Sequence, residues 1–408
     1  MKEKHSLKEV ILNLIYSFAS YAMPTAVLQF IVQPIIAKLL GSDLNGQYLT
    51  LMSFNYFMIG VTASVLNTVR MLQQKKYDEQ SVKGDFNIIY VIYTCILLVV
   101  MPIGYLGYVG TADFCEIVLY LIIGNLYLYH DYIFCQYRLN LQYNKILVNN
   151  ILQVLGYGIG LLIFLKTKKW QFVYISAYSI SFVYDFFNTD YIREPVRRTH
   201  IFLDTVKILL IYTCSMLFSS SITYCDKLIL YPILGGESVS IYNTASLVGK
   251  MLVLISAPLN SVLLSYIVKI DSLDFKIPKK YIVFFACGIL VAYGGCVGIG
   301  YPLTRFLYPD WATKSQAYIP ITVAASLINL LGNLFNTVLL RFCNIKFQII
   351  IQAINFVIYI SIGLLLLNIA SLMGFCVGIL IAAIIKLIMM VFIFKKKRLN
   401  NNKGELEV

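Results

Sequence analysis

Charge is what this sequence has least of: only 13% of its 408 residues are Asp, Glu, Lys or Arg, against 59% hydrophobic. Soluble globular chains carry about a quarter charged residues, so a water-soluble fold is excluded. Histidine is scarce too, at three residues, His5, His130 and His200, which leaves no histidine cluster to hold a metal. The nine cysteines are an odd number without a C-x-x-C spacing, and most fall in apolar stretches, where they read as small packing residues. There is no polar tract long enough for a soluble domain, no phosphate-cradling glycine loop and no evident nucleophile. No cofactor is expected.

Long apolar runs are abundant. A membrane span needs about 20 mostly apolar residues, and twelve such runs can be drawn, at roughly 9–37, 46–70, 86–108, 114–137, 144–165, 170–192, 205–225, 240–267, 281–303, 317–342, 347–367 and 371–394. The first follows a short basic leader, exceeds a secretory apolar segment in length and lacks a small-residue cleavage site, so it is expected to be retained. With both termini cytoplasmic, the inside segments hold 24 of the 33 Lys and Arg residues and the outside loops 7. That bias orients the chain by the positive-inside rule. It also accounts for the net charge of +13 without a nucleic-acid partner, since "REPVRR" and the tail "FKKKRLNNNK" suit anionic lipid headgroups. Trp170 and Trp311 fall at the outside ends of spans, where amphipathic rings sit.

A short segment occurs twice. "AKLLGSDLNGQY" at 37–48 and "YPILGGESVSIY" at 231–242 superpose on a shift of 194 residues, which aligns Leu40 with Leu234, Gly41 with Gly235, Asp43 with Glu237 and Tyr48 with Tyr242. Each copy joins the first two spans of a six-span block. An even number of spans returns the chain in the same orientation, so the expected architecture is an all-α membrane protein of two six-helix lobes forming a parallel pseudo-repeat. The lobes are expected at 1–200 and 201–395, with a basic cytoplasmic tail at 396–408.

Polar residues inside the spans are the candidates for function. In the second span Tyr56, Gly60, Ala63, Asn67 and Arg70 share one helical face, and the same shift gives Lys250, Leu254, Ala257, Ser261 and Leu264 in the eighth. The small residues fit close helix packing as well as a cavity wall. Lys250 lies too deep to reach water easily, and either lines a water-filled cavity or forms a structural ion pair. In the fourth span Asn125, Tyr129, Tyr132 and Gln136 share a face from which His130 and Asp131 project away. His130 and Asp131 are read either as a proton-titrating pair or as hydrogen-bonding groups of the bundle interior. Asp185 is a candidate for ion coupling or a partner for a cation such as Lys250; Asp190 is interfacial, and Lys386 snorkels inward. The 31 tyrosines serve packing or, alternatively, a sugar-binding lining. Pro24, Pro102 and Pro258 mark kinks.

The two motif regions, "IIAKLLGSDLNGQYLTL" and the stretch from "YCDKLIL" to "APLNSVLLSYI", resemble the polysaccharide-transport branch of the multidrug, oligosaccharidyl-lipid and polysaccharide (MOP) exporter superfamily, the Wzx-type flippases. Lys38, Leu40, Gly41, Asp43, Gly46 and Tyr48 occupy the first-half motif. Asp226, Lys227, Leu230, Leu234, Gly235, Tyr242, Ala257, Pro258 and Leu259 occupy the second. Lys38 and Lys227 stand where the family has arginine, and Ser240 where it usually has glycine. The resemblance implies a MATE-like pair of lobes around a central cavity, alternating access and an undecaprenyl-pyrophosphate-linked oligosaccharide as cargo. It also implies a bacterial cytoplasmic membrane and contact with polysaccharide-polymerising machinery. Lys250, Arg70, Tyr56, Asn67, Asn125 and Tyr129 are the expected cavity residues, with Asp131, His130 and Asp185 for ion coupling.

Three rival readings remain. A cation-coupled drug exporter of the same superfamily favours acidic cavities. A glycan polymerase requires a large outside loop, whereas the longest here is about 13 residues, 304–316. A membrane acyltransferase requires a basic and histidine site at one membrane face, which His130 and His200 do not build. An enzyme is therefore not expected.

Overall fold

The computed structural model describes Ser20 and residues 22–110, 113–252, 259–260, 279–342 and 345–404. Pro258 and the stripe residues Leu254, Ala257, Ser261 and Leu264 lie outside the described residues, as do residues 9–19 and 21 of the first apolar run. Every regular element described is helical. After a π-turn at Leu28–Val32 come α1 (Gln33–Val61), α2 (Ala63–Glu79), α3 (Asp85–Val109), α4 (Phe114–Leu139), α5 (Tyr143–Thr167) and α6 (Gln171–Asn188). They are followed by α7 (Phe202–Ala245), α8 (Lys279–Leu307), the short α9 (Ala312–Gln316), α10 (Ile319–Phe342) and α11 (Ile345–Gly404).

Among the described residues, eight helical stretches are long and apolar enough to cross a membrane. Ala22–Glu79, Phe202–Ala245 and Ile350–Lys395, at 58, 44 and 46 residues, far exceed one crossing, and each is broken internally. The breaks fall at Gly41, Gly235 and Ala370–Ser371, where the sequence separates neighbouring apolar runs. At the last of these the chain doubles back, since Phe375 packs on Tyr359 at 6.5 Å between ring centroids.

The two glycines of the repeated segment adopt one conformation. Gly41 has φ 78° and ψ 174°, and Gly235 has φ 79° and ψ 177°. That region is open essentially to glycine alone, so the shift of 194 residues pairs two positions with the same backbone requirement.

The chain divides into two compact units, Met1–Ile233 and Leu234–Val408. In the first, α5 packs most extensively on α6, and α4 touches α2, α3 and α6. The α5/α6 contact depends on Gly156 and Gly160, where a Cβ would stand 2.5 Å from the Cα of Ala177 and of Val173 respectively. Small residues four apart let two backbones approach this closely in lipid. In the second unit Ala245, Val248, Ile319, Val323 and Leu327 form one core cluster, and Leu339, Ile351 and Met390 another. The division falls inside α7, between Ile233 and Leu234 and immediately before the Gly235 break.

Candidate functional site

Helix α4 organises the polar interior of the first unit. On the face predicted for it, Tyr129, Tyr132 and Gln136 are buried and Asn125 is half-buried, its amide turned back to Leu121 O at 2.9 Å. Tyr132 donates to Asn87 Oδ1 at 2.8 Å and accepts a hydrogen bond from Arg70. Gln136 Oε1 receives the backbone N–H of Asp190 at 3.1 Å and the Thr189 hydroxyl.

These bonds reach the segment 189–200, which is stapled to the end of the helices that the charge pattern assigns to the cytoplasm. Arg70, only 3% exposed, forms a 2.6 Å ion pair with Glu194, and its guanidinium carbon lies 3.3 Å from the Tyr191 ring centroid. Asn87 Nδ2 donates to the carbonyls of Tyr191 and Glu194, both at 2.9 Å. Asp85 accepts from the Thr199 N–H at 2.7 Å and from Tyr77 at 2.8 Å. Arg70 is thus engaged within the unit rather than presented to open space. "REPVRR", read as a headgroup contact, gives its Glu194 to this cluster, while Arg193 and Arg197 stay exposed.

His130 and Asp131 are neighbours in sequence but face different partners. His130 is buried against Phe134 and Tyr178, with ring centroids at 4.3 and 5.3 Å, and its Nε2 has no partner. Asp131 is half-buried and accepts from Ser64 Oγ at 2.9 Å, while its carbonyl takes the Asn67 amide at 2.8 Å. Near it Tyr56 forms an aromatic cluster with Tyr127 and Tyr224, at 5.7 and 5.9 Å. Asp185 is fully buried and accepts from Tyr137 at 2.8 Å and from Asn149 at 2.6 Å.

Lys250, in the second unit, is half-buried and donates to Asn243 Oδ1. Asp226 and Lys227 are buried together, with Oδ1 and Nζ 3.8 Å apart. Tyr48 is fully buried, its hydroxyl 2.5 Å from that of Tyr174, and Tyr242 packs on Phe375. Lys38 and Asp43 are exposed.

Sequence reasoning missed Asp85, Asn87, Asn149 and Glu194. Asn149 could have been found as a polar residue within the fifth run; the other three sit in connections or at a helix start, where polar residues carry no signal.

No family model matches the chain, and no curated protein matches it either. Solved structures do. Lipid II flippase MurJ in an inward closed conformation is 17% identical, with a TM-score of 0.70 over 96% of this chain and 90% of that one. A point mutant of the Vibrio cholerae MATE transporter VcmN is 14% identical, with a TM-score of 0.63 over 95% and 96%. An outward-facing multidrug resistance MATE family transporter of the MOP superfamily is 13% identical, with a TM-score of 0.63 over 97% and 96%. At such identities the likeness concerns the fold alone, and it is as strong to MATE transporters as to a flippase in coverage. The chain shares its fold with these solved membrane proteins, the flippase MurJ and the MATE transporters alike.

Proposed function

We propose that this protein is a flippase that carries a polyprenyl-diphosphate-linked oligosaccharide across the bacterial cytoplasmic membrane by alternating access, for assembly of a surface polysaccharide. Twelve spans in two six-helix lobes, both termini in the cytoplasm, complete the reading. The repeated Leu-Gly motifs of the Wzx-type branch support it, as does a fold shared with transporters.

The observation that carries it is Lys250, a half-buried amine in an apolar stretch of the sequence, which donates to Asn243 Oδ1. Ionised amines in apolar helices are costly and are retained where an anion or a water-filled path requires them. A diphosphate is such an anion, bound by charge-assisted hydrogen bonds. Arg70 is paired with Glu194 in the conformation described, so its contact with the diphosphate belongs to a conformation in which that pair opens. Tyr56, Asn67, Asn125 and Tyr129 contribute hydroxyl and amide contacts to sugar. The barrier removed is large: each sugar hydroxyl stripped of water costs about 2–7 kcal/mol in hydrocarbon, hence tens of kcal/mol for a repeat unit. The headgroup crosses through protein while the polyprenyl tail stays among membrane lipids. The reaction makes and breaks no covalent bond, and contact with polymerising machinery supplies the next step.

The test is transfer of a polyprenyl-diphosphate-linked oligosaccharide between leaflets of liposomes containing the purified protein. Lys250→Ala is expected to abolish transfer at unchanged protein level; full transfer by that variant overturns the assignment. A second reading, a cation-coupled multidrug exporter, is favoured by the carboxylates Asp131 and Asp185 inside the first unit, and uptake of a cationic dye without glycolipid transfer would establish it.

A further inference from the structure

Helix α6 has two packed flanks and one open one among the described residues. Ala177 meets Gly156 of α5, and Ser181 and Asp185 bond to Asn149 of α5. Tyr178 and Phe182 pack on His130 and Tyr129 of α4. Ile180, Val183, Tyr184 and Phe187 fall on the remaining face at helical spacing. With Leu152 of α5 and Asn188 they line an open groove of about 480 Å³, a size that suits a small-molecule ligand. Val183 is 55% and Phe187 72% exposed, so nothing among the described residues covers the groove. The start of the first apolar run passes elsewhere: Ser20 O accepts from Asn150 at 2.9 Å, and Asn150 lies about 200° around α5 from Leu152.

Depth decides the occupant. From Ile180 to Asn188 the groove follows α6 for about 12 Å, close to half of the ~30 Å hydrocarbon core, and it ends at the side that the charge pattern assigns to the cytoplasm. It therefore lies in the cytoplasmic leaflet. Its walls are branched and aromatic, and its inner end carries the Tyr184 side chain and the Asn188 amide, which donates to Tyr184 O at 2.9 Å. The antiparallel register that sets Gly160 against Val173 and Gly156 against Ala177, continued along both helices, sets Lys145 level with Asn188. Lys145 precedes Leu152 by two turns on the same face of α5, and helical side chains tilt toward the N-terminus, here toward the headgroups. It is half-buried, its Nζ lies 5.8 Å from the Tyr137 ring, and it has no acidic partner among the described residues. Nearby, Asp190 and Arg193 pair with each other at 3.9 Å and cancel. A lone amine at the headgroup end of an apolar groove complements one negative charge borne on a hydrocarbon chain, as in a glycerophospholipid, better than the several charges of a diphosphate.

We propose that the α5/α6 groove binds an acyl chain of an anionic glycerophospholipid of the cytoplasmic leaflet, whose phosphate is held by Lys145. The site rests on the orientation read from the Lys and Arg residues and not on the flippase reading.

The experiment is photo-cross-linking of the purified full chain in phosphatidylethanolamine vesicles, with a diazirine in the acyl chain of either a phosphatidylglycerol or a phosphatidylcholine probe, and adducts mapped by mass spectrometry. Phosphatidylglycerol is expected to label residues 179–188 about fivefold more than phosphatidylcholine, the worth of one amine near an anionic headgroup. The exposed face of α3 at Val99 and Ile103 should take both probes equally. Lys145→Gln should abolish the preference, and Val183→Trp, which fills the groove from an exposed position, should abolish labelling of 179–188 by both probes while α3 is labelled as before. Equal labelling by the two probes, or a preference that survives Lys145→Gln, overturns the proposal. Loss of the adduct on adding a small mole fraction of polyprenyl diphosphate would give the groove to that tail, and a cross-link between two copies through 179–188 would give it to a second copy; either result also overturns it.

Discussion

Replacing Gly41 and Gly235 with alanine tests why the repeated segment keeps its glycines. At each site an added Cβ meets nothing within 4 Å, so the cost is not steric contact with neighbours. It is the backbone: φ of 78° and 79° with ψ near the extended value lies where an L-residue is disfavoured by about 1–3 kcal/mol. Alanine also restricts the unfolded chain, which returns about 0.4–1 kcal/mol. The net expected loss is therefore roughly 1–2 kcal/mol per site, or several degrees in melting temperature at about 2–4 °C per kcal/mol for units of this size. Gly107 and Gly158 are the controls. They too have open space around the Cβ and lack the positive φ, so alanine there is expected to stabilise by about 0.5–1 kcal/mol. The assay is a thermal scan of purified variants in one detergent, followed by circular dichroism. If Gly41→Ala and Gly235→Ala melt at or above the wild type while Gly107→Ala behaves as expected, the backbone argument is refuted.

Breaking the buried ion pair by Arg70→Ala or Glu194→Gln is expected to cost about 3–5 kcal/mol, since each leaves a buried group unmatched; the double variant Arg70→Met/Glu194→Gln should cost clearly less than the sum, and additive losses in a double-mutant cycle would show that the pair is not coupled. Gly156→Val should disrupt the α5/α6 contact, where even a Cβ would stand 2.5 Å from Ala177, and is read as loss of the monodisperse peak in size-exclusion chromatography. Asn87→Ala removes both bonds to the 189–200 segment and should raise protease cleavage within it; unchanged cleavage would mean that Arg70, Asp85 and Gln136 hold it without help.

The helical, multi-spanning class was legible because length and hydropathy leave little choice for a chain in lipid. The breaks at Gly41 and Gly235 were legible through a repeated glycine. The face of α4 was legible too, because helical period alone brings Tyr129, Tyr132 and Gln136 together. What period cannot give is the partner of each group. Arg70 and Glu194 are 124 residues apart, and Glu194 sits among arginines that advertise a lipid surface rather than a buried acid. His130 and Asp131 look like a pair in sequence, yet adjacent residues on a helix point about 100° apart, and they bond to different helices.

A sharper distinction lies in which polar atoms are left over. In hydrocarbon a polar side chain that only holds helices together should have its hydrogen bonds met, since the unmet group costs free energy and contributes nothing. Asp85, Asn87 and Gln136 fit that description: the atoms that face the protein all find partners in the 189–200 segment or its surroundings. Other buried polar atoms have no partner among the described residues: Asn67 Oδ1 on α2, Asn125 Oδ1, Tyr129 Oη and His130 Nε2 on α4 and Asp185 Oδ2 on α6 are among them, with further ones at Asn55 on α1, Tyr93 on α3 and Arg70 Nε. Folding stability gives no reason to keep such atoms unmet, and a transported group is one source of the missing partner. Substituting the first class should therefore cost stability before activity, and substituting the second should cost activity at little loss of stability. Asn87→Ala and Tyr129→Phe, compared side by side for melting temperature and for transfer rate, would separate the two classes; equal losses of stability in both would end the distinction.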